Sequence, residues 1–176
     1  MSTPFPYAAR TRDVEEAHSA INASFRNVRN RSNPADPATA KWIASIERFN
    51  AALAVAYPEN FWSDLDDLRA GNLRHIETAL SFLEADPLFF RSGYTKTEVL
   101  RAIKRLPLTP GHEIRLRRVI LHLITTRGGR EFRQYCHLAR RLDGAGFRES
   151  LAALLASEDP AIARRAQWVL SAVDQA

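Results

Sequence analysis

Cysteine is nearly absent from this chain: Cys136 stands alone among 176 residues. One thiol excludes a disulfide framework and a cysteine-rich zinc site. Long apolar runs are missing too. The longest, Ala51 to Tyr57, falls far short of the roughly 20 residues that cross a bilayer as a helix, so no membrane span is expected. The stretch from Met1 to Asp13 has prolines at 4 and 6 and no apolar core segment, and does not read as a secretory signal. The setting expected is soluble, reducing and cytoplasmic. Lysine occurs only at 41, 96 and 104, so 22 of the 25 basic residues are arginine. Composition bias of the genome accounts for that preference as readily as function does.

What is present is helix-forming. Apolar residues recur at helical spacing over about 13–30, 37–57, 61–85, 95–106, 110–127, 129–142, 147–157 and 160–173, with a break in the third window at Gly71-Asn72. No stretch alternates apolar and polar residues between turn signals as a strand would. An all-α protein follows: an extended arm over 1–12 and one all-α domain over 13–176. Asp36-Pro37, Thr109-Pro110 and Asp159-Pro160 each set a capping side chain before a proline that has no N–H to satisfy. Thr95 and Glu98 read as a capping box. Gly128-Gly129 reads as a tight reversal that makes its flanking helices antiparallel.

The last hairpin carries a resemblance. Phe147 to Leu155, a turn at Ser157-Glu158-Asp159-Pro160, then Ile162, Ala166 and Leu170 are similar to one HEAT repeat. That family places an aspartate at the turn, then a branched aliphatic, an alanine four residues later and a leucine eight later. Its basic residue directly after the aliphatic is replaced by Ala163. The resemblance implies antiparallel hairpins stacked as a short α-α superhelix, an architecture used mainly for binding. An irregular helical bundle with one HEAT-like hairpin is the alternative.

Little points to catalysis. The histidines, at 18, 75, 112, 122 and 137, include no pair three or four apart, so no helical metal site is spelled out. His112-Glu113 opens like a zincin motif, but Leu116 stands where the second histidine belongs. Asp64, Asp66 and Asp67 read as helix-dipole partners in a first turn rather than as an acid–base pair. Cys136 falls on an apolar helix face and reads as a buried thiol. Arg117 lies inside an apolar arc and calls for a structural partner. No cofactor and no metal are expected.

Charge is the unusual feature. Residues 1–88 sum to −3, residues 89–176 to +8, and 91–141 alone to +10. On a wheel of 129–142, Arg130, Arg133, His137, Arg140 and Arg141 oppose the apolar face that includes Tyr135. Arg115, Arg118 and His122 occupy the polar face of the preceding helix. If these faces adjoin, the eight side chains form one basic ridge without anionic neighbours. Such a field attracts acidic partners. The function expected is a non-enzymatic protein–protein interaction module, of adaptor or immunity type, that holds an acidic protein, a second copy of this chain included. The alternative is a nucleic-acid-binding helical protein using the same surface for phosphate contacts. A second candidate is the loop from Asp86 to Tyr94. There Arg91 and Tyr94 have polar ends able to reach a ligand, while Phe89, Phe90 and Tyr94 otherwise plug a gap between helices, with Gly93 supplying a positive φ.

Overall fold

Three helices start where a capping residue precedes a proline. A computed structural model of the chain describes residues 4–175. In it Asp36 accepts the Thr39 N–H at 2.9 Å, Asp159 that of Ala161 at 2.7 Å, and Thr109 that of His112 at 3.3 Å. They open α2 (Pro37–Ala54), α9 (Pro160–Val173) and α6 (Pro110–Thr126). The other helices are α1 (Tyr7–Phe25), α3 (Phe61–Arg69), α4 (Ile76–Ala85), α5 (Ser92–Ile103), α7 (Phe132–Ala139) and α8 (Ala145–Leu155). Helix takes up 72% of the described residues and no strand occurs among them, so the fold is all-α.

Several boundaries differ from the sequence reading. The arm expected over 1–12 gives way to α1 at Tyr7, a residue only 4% exposed; apolar burial of Tyr7, Val14 and Ala17 extends that helix backwards. Residues 1–3 of that arm lie outside the described residues. The break at Gly71-Asn72 forms, with Gly71 at φ +92 and Asn72 capping a short 3-10 turn over Leu73–His75. Thr95 is no cap: α5 begins at Ser92, Thr95 lies buried inside it, and Arg91 takes a left-handed φ of +66 before it.

The chain, expected as one domain beyond residue 12, divides into two compact units. The first comprises residues 4–61 and 85–90. In it α1 packs against α2, and Val14, Ala17, Phe49, Ala56 and Phe89 form the core. Phe89 is the one aromatic of the 86–94 loop that enters this core; Phe90 and Tyr94 are each about half exposed.

The second unit comprises residues 62–84 and 91–175. Its core includes Leu65, Leu80, Leu100, Ile103, Leu116, Ile120, Leu138, Leu142, Leu151 and Val169. Within it α7 packs on α5 and α9, while α6 packs on α8 and α9. Side-chain pairs fix the directions. Arg130 meets Tyr94 beside one end of α7, and Arg141 meets the carbonyls of Lys104 and Leu106 beyond the other, so α5 and α7 run the same way. Phe132 meets Trp168 and Arg140 meets Gln175, which makes α9 run with them. The α8–α9 connection is short, and these two are antiparallel.

Candidate functional site

Two groups of arginines stand out in the second unit. One group is occupied. Arg115 grips Glu84 through two bonds, at 2.6 and 2.7 Å, and Glu77 at 2.6 Å, which drives its pKa further up. Arg117 donates to Glu113 at 3.1 Å and to the Leu142 carbonyl at 2.7 Å, the structural partnership expected of a charge in an apolar arc. Arg148 bridges Asp143 and Asp174, and its hydrogen bonds hold the Asp143 carboxyl below the usual range. Arg69 pairs with Asp66 and Glu98. Arg141 donates to the backbone carbonyls of Lys104 and Leu106. Arg165 donates to that of Ile124.

These partners correct the eight-residue ridge as it reads from the helical wheels. Arg115 has anionic neighbours, because α4 supplies Glu77 and Glu84 from more than 30 residues away. Arg141 lies on a 3-10 turn over Arg140–Leu142 and serves the end of α5. α7 lies chiefly against α5 and α9, with less contact to α6. Arg118 instead borders a cleft of about 380 Å³ between α6 and α8, with Ile114, Leu121 and Phe147. His122 is exposed on α6, and its carbonyl accepts from Thr125 and Thr126. His137 is half-buried. Burial first, then Lys104, Arg140 and Arg133, hold its pKa below the ordinary 6.5. Arg140 reaches Gln175 at 3.2 Å.

The second group is Arg91, Arg130, Arg133 and Arg164, which, like Arg74, Arg101, Arg105, Arg118 and Arg140, have no carboxylate partner among the described residues. They surround exposed aromatics. Arg130 donates to the Tyr94 hydroxyl, and its guanidinium carbon lies 5.2 Å from the Tyr94 ring centre; that of Arg91 lies 5.9 Å away. The guanidinium carbon of Arg164 lies 5.7 Å from the ring centre of Trp168, which is 50% exposed. The two clusters flank a cleft of about 320 Å³ lined by Gly129, Arg130, Phe132, Arg133, Cys136 and Trp168. Phe132 meets the Trp168 ring edge-on at 6.1 Å. Cys136 is buried, as its helix face predicts, and desolvation pushes its thiol up to about 11, so it stays protonated.

The secondary candidates Arg91 and Tyr94 therefore join Arg130 and Arg133, while Trp168 and Arg164 are additions that the sequence reading missed. A signal existed: Trp168 lies off the Ile162, Ala166, Val169, Leu170 and Val173 stripe, a large aromatic with no core position to fill. Gly93 does not supply the expected positive φ; Arg91 does.

The acidic cluster is internally engaged. Asp64, in the first turn of α3, accepts from Thr78 at 2.5 Å. His75 lies between Asp64 at 3.3 Å and Asp67 at 3.4 Å. Among the described residues no group of three or more His, Cys, Asp or Glu side chains is placed to hold a metal ion. No helix is long and apolar enough to cross a membrane. Compared with known proteins, the chain matches no family model, no curated protein and no solved structure.

Proposed function

We propose that this protein is a non-enzymatic interaction module, of adaptor or immunity type, that holds an acidic protein partner on the Arg91, Tyr94, Arg130, Arg133, Arg164, Trp168 surface. A single observation carries the reading: Arg91, Arg130 and Arg164, without carboxylate partners among the described residues, lie against the exposed rings of Tyr94 and Trp168, with Arg133 lining the cleft beside Trp168, whereas Arg69, Arg115, Arg117 and Arg148 are ion-paired. Unpaired like charges on one surface oppose folding through self-repulsion, and an anionic partner relieves it. Arginine, tryptophan and tyrosine are also the residues that concentrate binding energy at protein interfaces. The parallel row of α5, α7 and α9, with α6 and α8 packed behind it, supports an α-α superhelical stack of the kind the HEAT resemblance implies.

The second reading, single-stranded nucleic acid, draws on Arg130 beside Tyr94 and Arg164 beside Trp168, since bases stack on aromatics flanked by cations. A salt titration separates the two. An oligothymidylate should show no measurable binding at about 50 mM salt, a condition that favours phosphate contacts. An acidic protein domain should bind there, and the Arg133→Glu, Arg164→Glu double variant should lose that binding with its helical circular dichroism intact. Tight oligothymidylate binding with a steep log-linear salt slope would select the second reading.

A further inference from the structure

We infer that the cleft between α7 and α9 is an anchor pocket that takes one aliphatic or aromatic side chain of an acidic peptide segment. This rests on the acidic-partner reading and adds its specificity. The cleft is two-natured. Its apolar parts are Phe132, Cys136 and the exposed Trp168, while Arg130 and Arg133 bring guanidinium groups without carboxylates.

Each nature selects. A bare inorganic anion would satisfy the guanidinium groups and leave Phe132 and Trp168 wet. A neutral apolar molecule would bury the aromatics and leave two charges without a counter-ion. An apolar side chain with aspartate or glutamate on either side satisfies both. A nucleobase fits less well. Its ring would stack on Trp168 and its carbonyls would accept from Arg130 or Arg133, but stacking alone would leave Phe132 uncovered. At about 320 Å³ the cleft has room for a large side chain together with its flanking backbone. Trp168 sits ready for such a contact, with the Arg164 guanidinium near its ring and its edge against Phe132.

Fluorescence anisotropy with three labelled probes tests this on the full chain. One is a short Asp/Glu peptide with a central leucine, the second carries alanine in its place, and the third is oligothymidylate. The leucine peptide should bind about tenfold or more tighter than the alanine peptide. Trp168→Ala should erase that difference. Trp168 is half exposed, so the variant should fold; Trp168→Gln gives an independent check. Equal affinities for both peptides would overturn the anchor pocket and leave the acidic-partner reading intact. Failure of both peptides to bind would overturn both. Binding of oligothymidylate in preference to the leucine peptide would assign the cleft to nucleic acid and overturn the inference.

Discussion

Lys96 and Glu131 form a buried pair across α5 and the start of α7: Nζ stands 3.9 Å from Oε1, with the two side chains 0% and 6% exposed. Arg127 reaches the same carboxylate at 3.0 Å. Breaking a buried charge pair from one side strands the other charge in a low-dielectric interior. Glu131→Ala should therefore destabilise the protein by about 3 kcal/mol, measured by urea unfolding. A loss below about 0.5 kcal/mol, the range of ordinary surface changes, would contradict the claim that this pair secures α7.

The same carboxylate explains two glycines. A Cβ on Gly93 would come 2.9 Å from the Glu131 carboxylate oxygen, and one on Gly129 would come 2.7 Å from it and from Arg127 Nη1. Neither glycine has a positive φ, so the need is for room rather than backbone freedom. Gly129→Ala should cost about 1–3 kcal/mol, as overpacking does. In a Glu131→Ala background, where only the contact with Arg127 remains, the same substitution should cost less, and a double-mutant cycle reads that coupling.

Arg115 and Arg133 should behave oppositely. Arg115 holds two carboxylates; Arg133 holds none among the described residues. Arg115→Ala should lower the unfolding free energy by about 1 kcal/mol, a figure already reduced for the exposure of Glu77 and Glu84. Arg133→Glu should change it by less than about 0.5 kcal/mol. Thermal melts of both variants at one salt concentration supply the comparison.

His137 gives a pH signature. Its pKa in the folded chain lies below the ordinary 6.5, chiefly through burial and then through Lys104, Arg140 and Arg133. The folded state thus binds this proton less readily than the unfolded state does. Stability is retained above about pH 6.5 and falls as pH drops below it. Asp143 does not interfere, because its depressed pKa withdraws stability only below about pH 3.8. Urea midpoints at about pH 7.5 and 5.5, on either side of the histidine range, should differ more for the wild type than for His137→Gln.

Cys136 should resist alkylation. With its pKa pushed up to about 11, its thiolate fraction at pH 8 is about two orders of magnitude below that of an ordinary thiol. Iodoacetamide should label the unfolded chain readily and the native chain slowly, as mass spectrometry would show.

Local rules account for what was legible. Asp36, Thr109 and Asp159 cap because each decision involves residues within one turn, and Gly71 breaks a helix for the same reason. Arg117, Tyr135 and Cys136 were placed by their position on a wheel. What escaped depends on distant chain. The wheel of α6 shows Arg115 as exposed and cannot see Glu77 and Glu84, which α4 brings from 38 and 31 residues away. The start of α5 escapes local rules because Arg91, a residue with a Cβ, takes a left-handed φ that sequence propensity does not signal. The Gly128-Gly129 turn suggested α6 as the neighbour of α7, whereas buried Phe132, Tyr135 and Leu138 leave α7 chiefly against α5 and α9. Trp168 was passed over because the repeat-like stripe beside it explained the helix without it.

The central claim is that the carboxylate-free arginines around Tyr94 and Trp168 are the surface on which an acidic partner is held. Amide chemical-shift mapping during titration with the leucine-anchored acidic peptide tests it most directly. The account predicts shifts concentrated at residues 91–94, 129–136 and 164–168, with α1 and α2 silent. Shifts centred on Arg118 and His122, or spread evenly over the basic residues, would contradict it.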